Sequence, residues 1–389
     1  MSGMNVYLDN AATTRVCEEA IDAMLRVMRE DYGNPSSTHS PGRYAAAVLS
    51  GARSKVAGAL GARPDDVCFT SGGTESDNWA ILGAAETMSR KGKHIVTSAI
   101  EHDAVLSPVN KLENSGWDVT YIKPDSSGRI SAEAFAEALR DDTVIASIML
   151  VNNETGAVNP VGDYSREIKR RRLSTVLHTD AVQGFCKIPF TADTLGADLI
   201  TVTAHKIHGP KGVGALYARR GLRLPPLMLG GGQESGRRSG TEPIPAIAGF
   251  GEAAWLAYNR REKDAEHARA LRDYIIGLIR DELPEAVMIG EGDSPYILSL
   301  SLPGYMSETV MNRLDSVGVY IAKSAACKKG ARSRVLEAMG LSDDVINGVL
   351  RVSLSRYNTI EEAGYFAEML ANASKTLINN AKSTVRRKR

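Results

Sequence analysis

The sequence predicts an α/β protein: a mainly parallel sheet in a large domain, joined to a smaller α+β domain. Three observations point there. From about residue 16 to 255, helical segments alternate with short apolar runs, the pattern of a layered α/β architecture. Those runs are rich in β-branched residues and lack strict alternation, as strands covered on both faces should. A long periodic stretch at 244–282 then separates this region from one with fewer strands.

The elements follow in order. "EEAIDAMLRVM" from residue 18 and "RYAAAVLSGARSKVAGAL" from residue 43 show helical spacing. "VCFTSGGTESDNWAI" (67–81) reads as a strand, a Gly72-Gly73-Thr74 turn and a helix opening near Glu75. Strands are expected at 94–100, 143–151, 174–179, 199–203 and 212–218, and the stretch 244–282 as one or two helices. The second domain carries expected strands at 296–303, 317–323 and 349–356. A boundary near 258 makes residues 16–258 the large unit, and 1–15 with 259–389 the smaller one.

Composition narrows the function classes. The 389 residues are 24% charged and 43% apolar with a formal net charge of +1, so no global charge favours nucleic acid or an anionic membrane. The basic end "KSTVRRKR" (382–389) reads as a solvated tail. Cys17, Cys68, Cys186 and Cys327 show neither C-x-x-C pairing nor zinc-like spacing, so no metal site is expected. "MSGMNVYLDNAATT" lacks the basic and apolar regions of a secretory signal, and no apolar run approaches the ~20 residues of a membrane span. A reducing cytoplasm is the expected setting.

Polar residues gather where the strands end. The run at 94–100 leads to Glu101 and His102, and the run at 143–151 to Asn152, Asn153 and Glu154. The run at 174–179 leads to Asp180 and Gln183, and the run at 199–203 to His205 and Lys206. Ligands of open α/β sheets bind outside the carboxyl ends of the strands, so one shared pocket is expected. A part-buried lysine after a buried strand suits Schiff-base chemistry, and pyridoxal phosphate (PLP) also needs an acid facing its ring nitrogen. Lys206 and Asp180 are the candidate pair. The Gly72-Gly73-Thr74 turn before a helix is a candidate phosphate cradle. "LGGGQESGRRSGTEP" (229–243) reads as a flexible loop, with Arg238 and Thr241 as alternative phosphate ligands. Cys327 reads either as a small buried residue or as a thiol activated by Lys328 and Lys329.

Together the pieces "YLDNAATT", "YGNPSSTH", "FTSGGTESDN", "EHDAVL", "VNNETG", "HTDAVQ", "TAHKIHGPKG", "GGGQESGRRSGTEP", "SAAC" and "RVSLSRYNT" resemble the cysteine desulfurases of the NifS/IscS type, within the class V aminotransferase group of PLP enzymes. They span residues 7–359 in the family's order. The resemblance implies the PLP-dependent transferase fold, with Lys206 holding PLP and moving protons, Asp180 on its ring nitrogen, His102 stacked on the ring and Gln183 facing its phenolic oxygen. It implies that Gly73, Thr74, Thr203 and His205 hold the phosphate, with Thr241 reaching in from the second subunit of a homodimer. Asn34, Asn153 and Arg356 are implied as the groups that orient the substrate carboxylate. Cys327 falls at the family's catalytic cysteine, which takes sulfur from L-cysteine as a persulfide and passes it to an iron–sulfur scaffold or a tRNA-thiolation carrier. Selenocysteine lyase, or another class V aminotransferase or lyase, is the alternative reading. The sequence departs from the family at Ser324-Ala325, where Gly-Ser is usual, and at Arg334, where histidine is usual. The spacing from Cys327 to "SRVLEAMG" (333–340) is also about two residues shorter.

Overall fold

The computed structural model describes residues 4–324 and 332–377. Strand β1 (Val6–Tyr7) lies near the start of the chain. A central sheet is then built from β2 (Val67–Thr70), β3 (His94–Ser98), β4 (Asp118–Ile122), β5 (Thr143–Ser147), β6 (Val176–Asp180), β7 (Leu199–Thr203) and β8 (Gly214–Ala218). Its strand order is β2-β8-β7-β6-β5-β3-β4. Strands β4, β3, β5, β6 and β7 are mutually parallel, and β8 runs antiparallel to both β7 and β2. Two reversals leave β2 pointing the same way as β7. Its carboxyl end, Thr70, therefore shares a rim with the ends of β3, β5, β6 and β7, with Gly214 opposite both Thr70 and Thr203.

Every residue of β3, β5, β6 and β7 is buried, which is why they read as mostly apolar runs without strict alternation. The strands at 94–100 and 143–151 stop earlier than expected, at Ser98 and Ser147. Past the rim the ladder becomes irregular: Ile100 N–H donates to Ser98 Oγ and Met149 N–H to Glu101 Oε1, between amides that still reach the neighbouring strand, such as Leu150 N–H to the Asp180 carbonyl. Strand β4 escaped the sequence reading because it is an edge strand, half-exposed and mixed in polarity. The helix after β2 starts at Gly73 rather than Glu75, since the Gly72 carbonyl already accepts from Ser76 N–H at 3.2 Å.

Four further strands follow: β9 (Val287–Ile289), β10 (Ile297–Ser301), β11 (Val319–Tyr320) and β12 (Val349–Ser353). β12, β10 and β9 form an antiparallel sheet in that order, while β11 pairs in parallel with β1. The expected strand at 317–323 is thus only two residues long, and three-residue β9 was too short to be legible. A bridge between Asp9 and Ser353 carries residues 9–12 across to the carboxyl rim of the central sheet.

Residues 244–282 form one 39-residue helix. Its first half gives Ile247, Phe250, Ala253 and Ala254 to the core under the central sheet. Its second half gives Ala268, Leu271, Ile275 and Ile279 to a separate core shared with Leu300 and Val352. Among the described residues no helix is long and apolar enough to cross a membrane.

Candidate active site

The carboxyl rim opens into a cavity of about 440 Å³ between the central sheet and the C-terminal unit. It is lined by Gly73, Thr74, Glu101, His102, Asn153, Asp180, Gln183, Thr203, His205 and Lys206, so the polar residues expected at strand ends converge except Asn152, which is buried in the backbone turn beside it. The reason is topological: parallel strands deliver their carboxyl ends to one edge whatever their separation in sequence.

Lys206 ends the short 3₁₀ turn Ala204–Lys206 that leaves β7. Its Nζ donates to the Ala11 carbonyl at 2.5 Å and to the Ala12 carbonyl at 2.8 Å, which fixes the amine inside the cavity. Gln183 is buried and donates through Nε2 to the same Ala11 carbonyl at 2.8 Å. Its Oε1 accepts from Lys187 Nζ at 3.3 Å. Lys187 was not singled out from the sequence, where nothing distinguishes it from a surface lysine. Burial, then the charges of Lys206 and Arg351, push it down to about 7.

Asp180, the last residue of β6, is buried, and its Oδ1 accepts from Val182 N–H at 2.8 Å. Burial, then the neighbouring Asp77 carboxylate, raises its pKa. Asp77 and Glu101 are pushed up in the same way by burial, and each keeps one buried oxygen without a hydrogen-bond partner among the described residues. Burial thus favours the protonated forms of all three, the Asp77 Oδ1 lying 3.4 Å from the His178 ring, and a positive group brought near them would favour the charged forms.

The same cavity holds an anion cradle. The helix Gly73–Met88 points its N-terminus at the cavity, where free backbone N–H groups and the helix dipole favour negative charge. Gly214 must be glycine: a Cβ there would lie 2.8 Å from Gly72 Cα and from the Val202 carbonyl oxygen, pushing the cradle away. Thr203 Oγ1 donates to the Val213 carbonyl at 3.1 Å. The His205 ring, 3.2 Å from Thr13 Oγ1, is pushed down to about 4 by burial and then by the charge of Lys206. It is neutral near pH 7. His102 caps the helix Asp103–Glu113, its Nδ1 accepting from Ala104 N–H at 3.1 Å, which holds the ring at the cavity wall.

PLP presents an aldehyde, a protonatable ring nitrogen and a phosphate. The cavity offers a lysine amine, a buried carboxyl group and a helix N-terminus, so the residues present fit it.

Three expected residues are placed elsewhere. Arg356 is outside this cavity: its Nη1 donates to Asp264 Oδ2 at 3.0 Å, and it lines an adjoining space of only about 30 Å³ together with Lys187, Lys206 and His208. Three arginines do line the main cavity: Arg332, Arg334 and, centred on buried β12, Arg351. Arg351 is 2% exposed, donates to Asp9 Oδ1 at 2.8 Å and to the Asn153 carbonyl at 3.1 Å, and leaves its Nε buried without a partner among the described residues. An arginine in the middle of an apolar strand was the signal that could have found it. Asn34 is exposed and accepts from Ser36 N–H in a local turn, and Thr241 is exposed on the surface of the chain. Neither lines the cavity of this chain. Cys327 lies outside the described residues, but Ser324 and Arg332, on its two sides, both line the cavity.

Comparison with known proteins agrees with this geometry. The model of the family "Aminotransferase class-V" matches residues 6–366. The chain is 40% identical over 369 residues to a cysteine desulfurase IscS of Dictyoglomus turgidum, covering 94% of this chain and 93% of the relative. It is 38% identical over 377 residues to a putative cysteine desulfurase IscS 1 of Bacillus subtilis, covering 96% and 99%. Among solved structures, a NifS-like protein superposes with a TM-score of 0.91 at 38% identity, covering 96% of this chain and 100% of the other. SspA in complex with cysteine superposes with a TM-score of 0.80 at 33% identity, covering 91% and 100%. With a matching fold and a cavity that suits PLP, the chain belongs to the class-V aminotransferase family, in its cysteine desulfurase branch.

Proposed function

We propose that this protein is a PLP-dependent cysteine desulfurase that moves the sulfur of L-cysteine onto Cys327 and releases L-alanine. The observation that carries the reading is a single cavity holding the amine of Lys206, the carboxylate of Asp180, the N-terminus of the helix Gly73–Met88 and both flanks of the segment that contains Cys327.

PLP, when bound, supplies an electron sink for the charge left as the substrate Cα proton departs. Lys206 would hold it, with Asp180 facing the ring nitrogen and keeping it protonated. The Gly73 and Thr74 amides, Thr203 and neutral His205 would hold the phosphate, with His102 against the ring and Gln183 at its phenolic oxygen. Lys206 carries the Cα proton. Arg351, in place of Arg356, is the better anchor for the substrate carboxylate: its planar fork takes a carboxylate bidentately, and it stands in the cavity that has room for an amino acid. Asn153, whose carbonyl Arg351 holds, completes that end. The Cys327 thiolate attacks the substrate sulfur; an S–S bond forms, the substrate's Cβ–S bond breaks, and its electron pair goes to the carbon that becomes the alanine methyl.

The acceptor we propose is a protein, either an iron–sulfur scaffold or a thiolation carrier. We further propose a homodimer, in which Thr241 of each chain reaches the phosphate of the other. The helices Glu18–Arg29, Ser40–Leu60 and Ile244–Glu282 pack together, and each exposes large apolar groups: Met28, Tyr44 and Trp255 are all more than half exposed. The large unit 16–258 carries the cofactor, and the remainder carries the thiol. The three described cysteines are unpaired and buried, which suits a reducing compartment such as the cytoplasm.

The test is alanine release from L-cysteine in the presence of a thiol reductant, comparing wild type with Cys327→Ala. Release by wild type alone supports the assignment. Equal release by both removes Cys327 from the mechanism, and release by neither removes L-cysteine as the substrate.

A further inference from the structure

Glu154 lines the cavity wall beyond β5, and the chemistry above gives it no task. Burial raises its pKa, so the carboxylate is costly to keep there unless its oxygens are occupied. One oxygen, Oε2, accepts from two hydroxyls: Ser324 Oγ, and Ser333 Oγ at 2.5 Å. Both serines are themselves buried, at 1% and 3% exposure. In sequence they bracket residues 325–331, which include Cys327. Next to them, Arg334 pairs with Asp103, the neighbour of His102, and Arg332 pairs with Glu337 at 3.0 Å. Ser324 and Arg334 are two of the positions at which the sequence departs from the family pattern, and both make these fastening contacts.

We propose that Glu154 is a positioning residue for the sulfur-accepting thiol, one buried oxygen holding both ends of the Cys327 segment at the cavity. This rests on Cys327 being the nucleophile. Chain connectivity sets the scale. Cys327 is three residues beyond Ser324 in sequence, and a chain spans no more than ~3.6 Å per residue. A short tether to a fastened residue narrows the region a side chain can reach, and two hydroxyls on one buried carboxyl oxygen fasten both ends.

The experiment uses the PLP-loaded enzyme and reads two quantities: the rate of Cys327 alkylation by iodoacetamide, and kcat and KM for alanine release. The buried Cys17, Cys68 and Cys186, with a Cys327→Ser control, make the alkylation specific. For Glu154→Ala and for the double variant Ser324→Ala/Ser333→Ala, kcat is expected to fall on the order of 10–100-fold with KM little changed, as a misplaced reacting group requires. Alkylation should quicken several-fold and PLP absorbance should be unchanged. Glu154→Gln, which keeps an accepting oxygen, should fall in between. Wild-type alkylation and kcat in the double serine variant would overturn the proposal, as would a raised KM at unchanged kcat in Glu154→Ala, which would make Glu154 a substrate contact. If the wild type releases no alanine, the desulfurase reading fails while the alkylation rates still report on the clasp.

Discussion

Two arginines compete for the substrate carboxylate, and Arg351→Lys against Arg356→Lys separates them. Arg351 has five N–H donors, of which one faces Asp9 and one the Asn153 carbonyl, and its side chain lines the 440 Å³ cavity; Arg356, with Nε and Nη2 likewise unpartnered among the described residues, does not. Lysine keeps the charge but not the fork, so the variant loses one charge-assisted hydrogen bond. That bond is worth about 1.5–3 kcal/mol, and at 1.4 kcal/mol per factor of ten KM for L-cysteine should rise roughly 10–150-fold. Arg356 is bound to Asp264 beside a space of about 30 Å³, room for a water but not for an amino acid. Arg356→Lys should lower thermal stability and shift KM less than about threefold. Initial rates against L-cysteine give KM. A spectral titration with L-alanine, which has the same carboxylate and no sulfur, gives binding free of chemistry, and its affinity should fall by the same factor in Arg351→Lys alone. A near-normal KM in Arg351→Lys, or an equal rise in Arg356→Lys, would refute the placement.

Other outcomes follow from geometry elsewhere. Gly214→Ala puts a Cβ 2.8 Å from backbone atoms of Gly72 and Val202 with no flexible side chain to yield; it should cost about 1–3 kcal/mol of stability and weaken PLP retention on dialysis, and unchanged melting and retention would contradict the cradle. His208, buried against Tyr357, is pushed down to about 3 from 6.5 by burial and then by Arg356. Between those values the unfolded chain binds the extra proton, so stability is lost as pH falls below 6.5. From pH 6.5 to 5 this loss is about 2 kcal/mol for His208 alone, at 1.36 kcal/mol per unit. His208→Asn, which also tolerates the positive φ of 68° there, should lose correspondingly less over that range in denaturant titrations. Parallel losses in the two proteins would contradict the assignment.

The sequence by itself determined the fold class, the parallel strands and most of the cavity lining. Buried parallel strands are mostly apolar, and the polar residues at and after their carboxyl ends fall at one rim, so Asp180, Gln183, His205 and Lys206 were legible from position. Edge strand β4 and three-residue β9 were not, because half-exposed or very short strands carry no distinctive pattern. Only the tertiary structure separates the placements of Arg351 and Arg356: both sit in "RVSLSRYNT", yet the first lines the main cavity and the second lies against Asp264. Only it could reveal that the Ala11 and Ala12 carbonyls hold Lys206, or that Glu154 joins Ser324 to Ser333. Those contacts link residues about 170 to 195 positions apart, and local sequence pattern is blind to partners that meet only when distant segments are brought together by the burial of two cores.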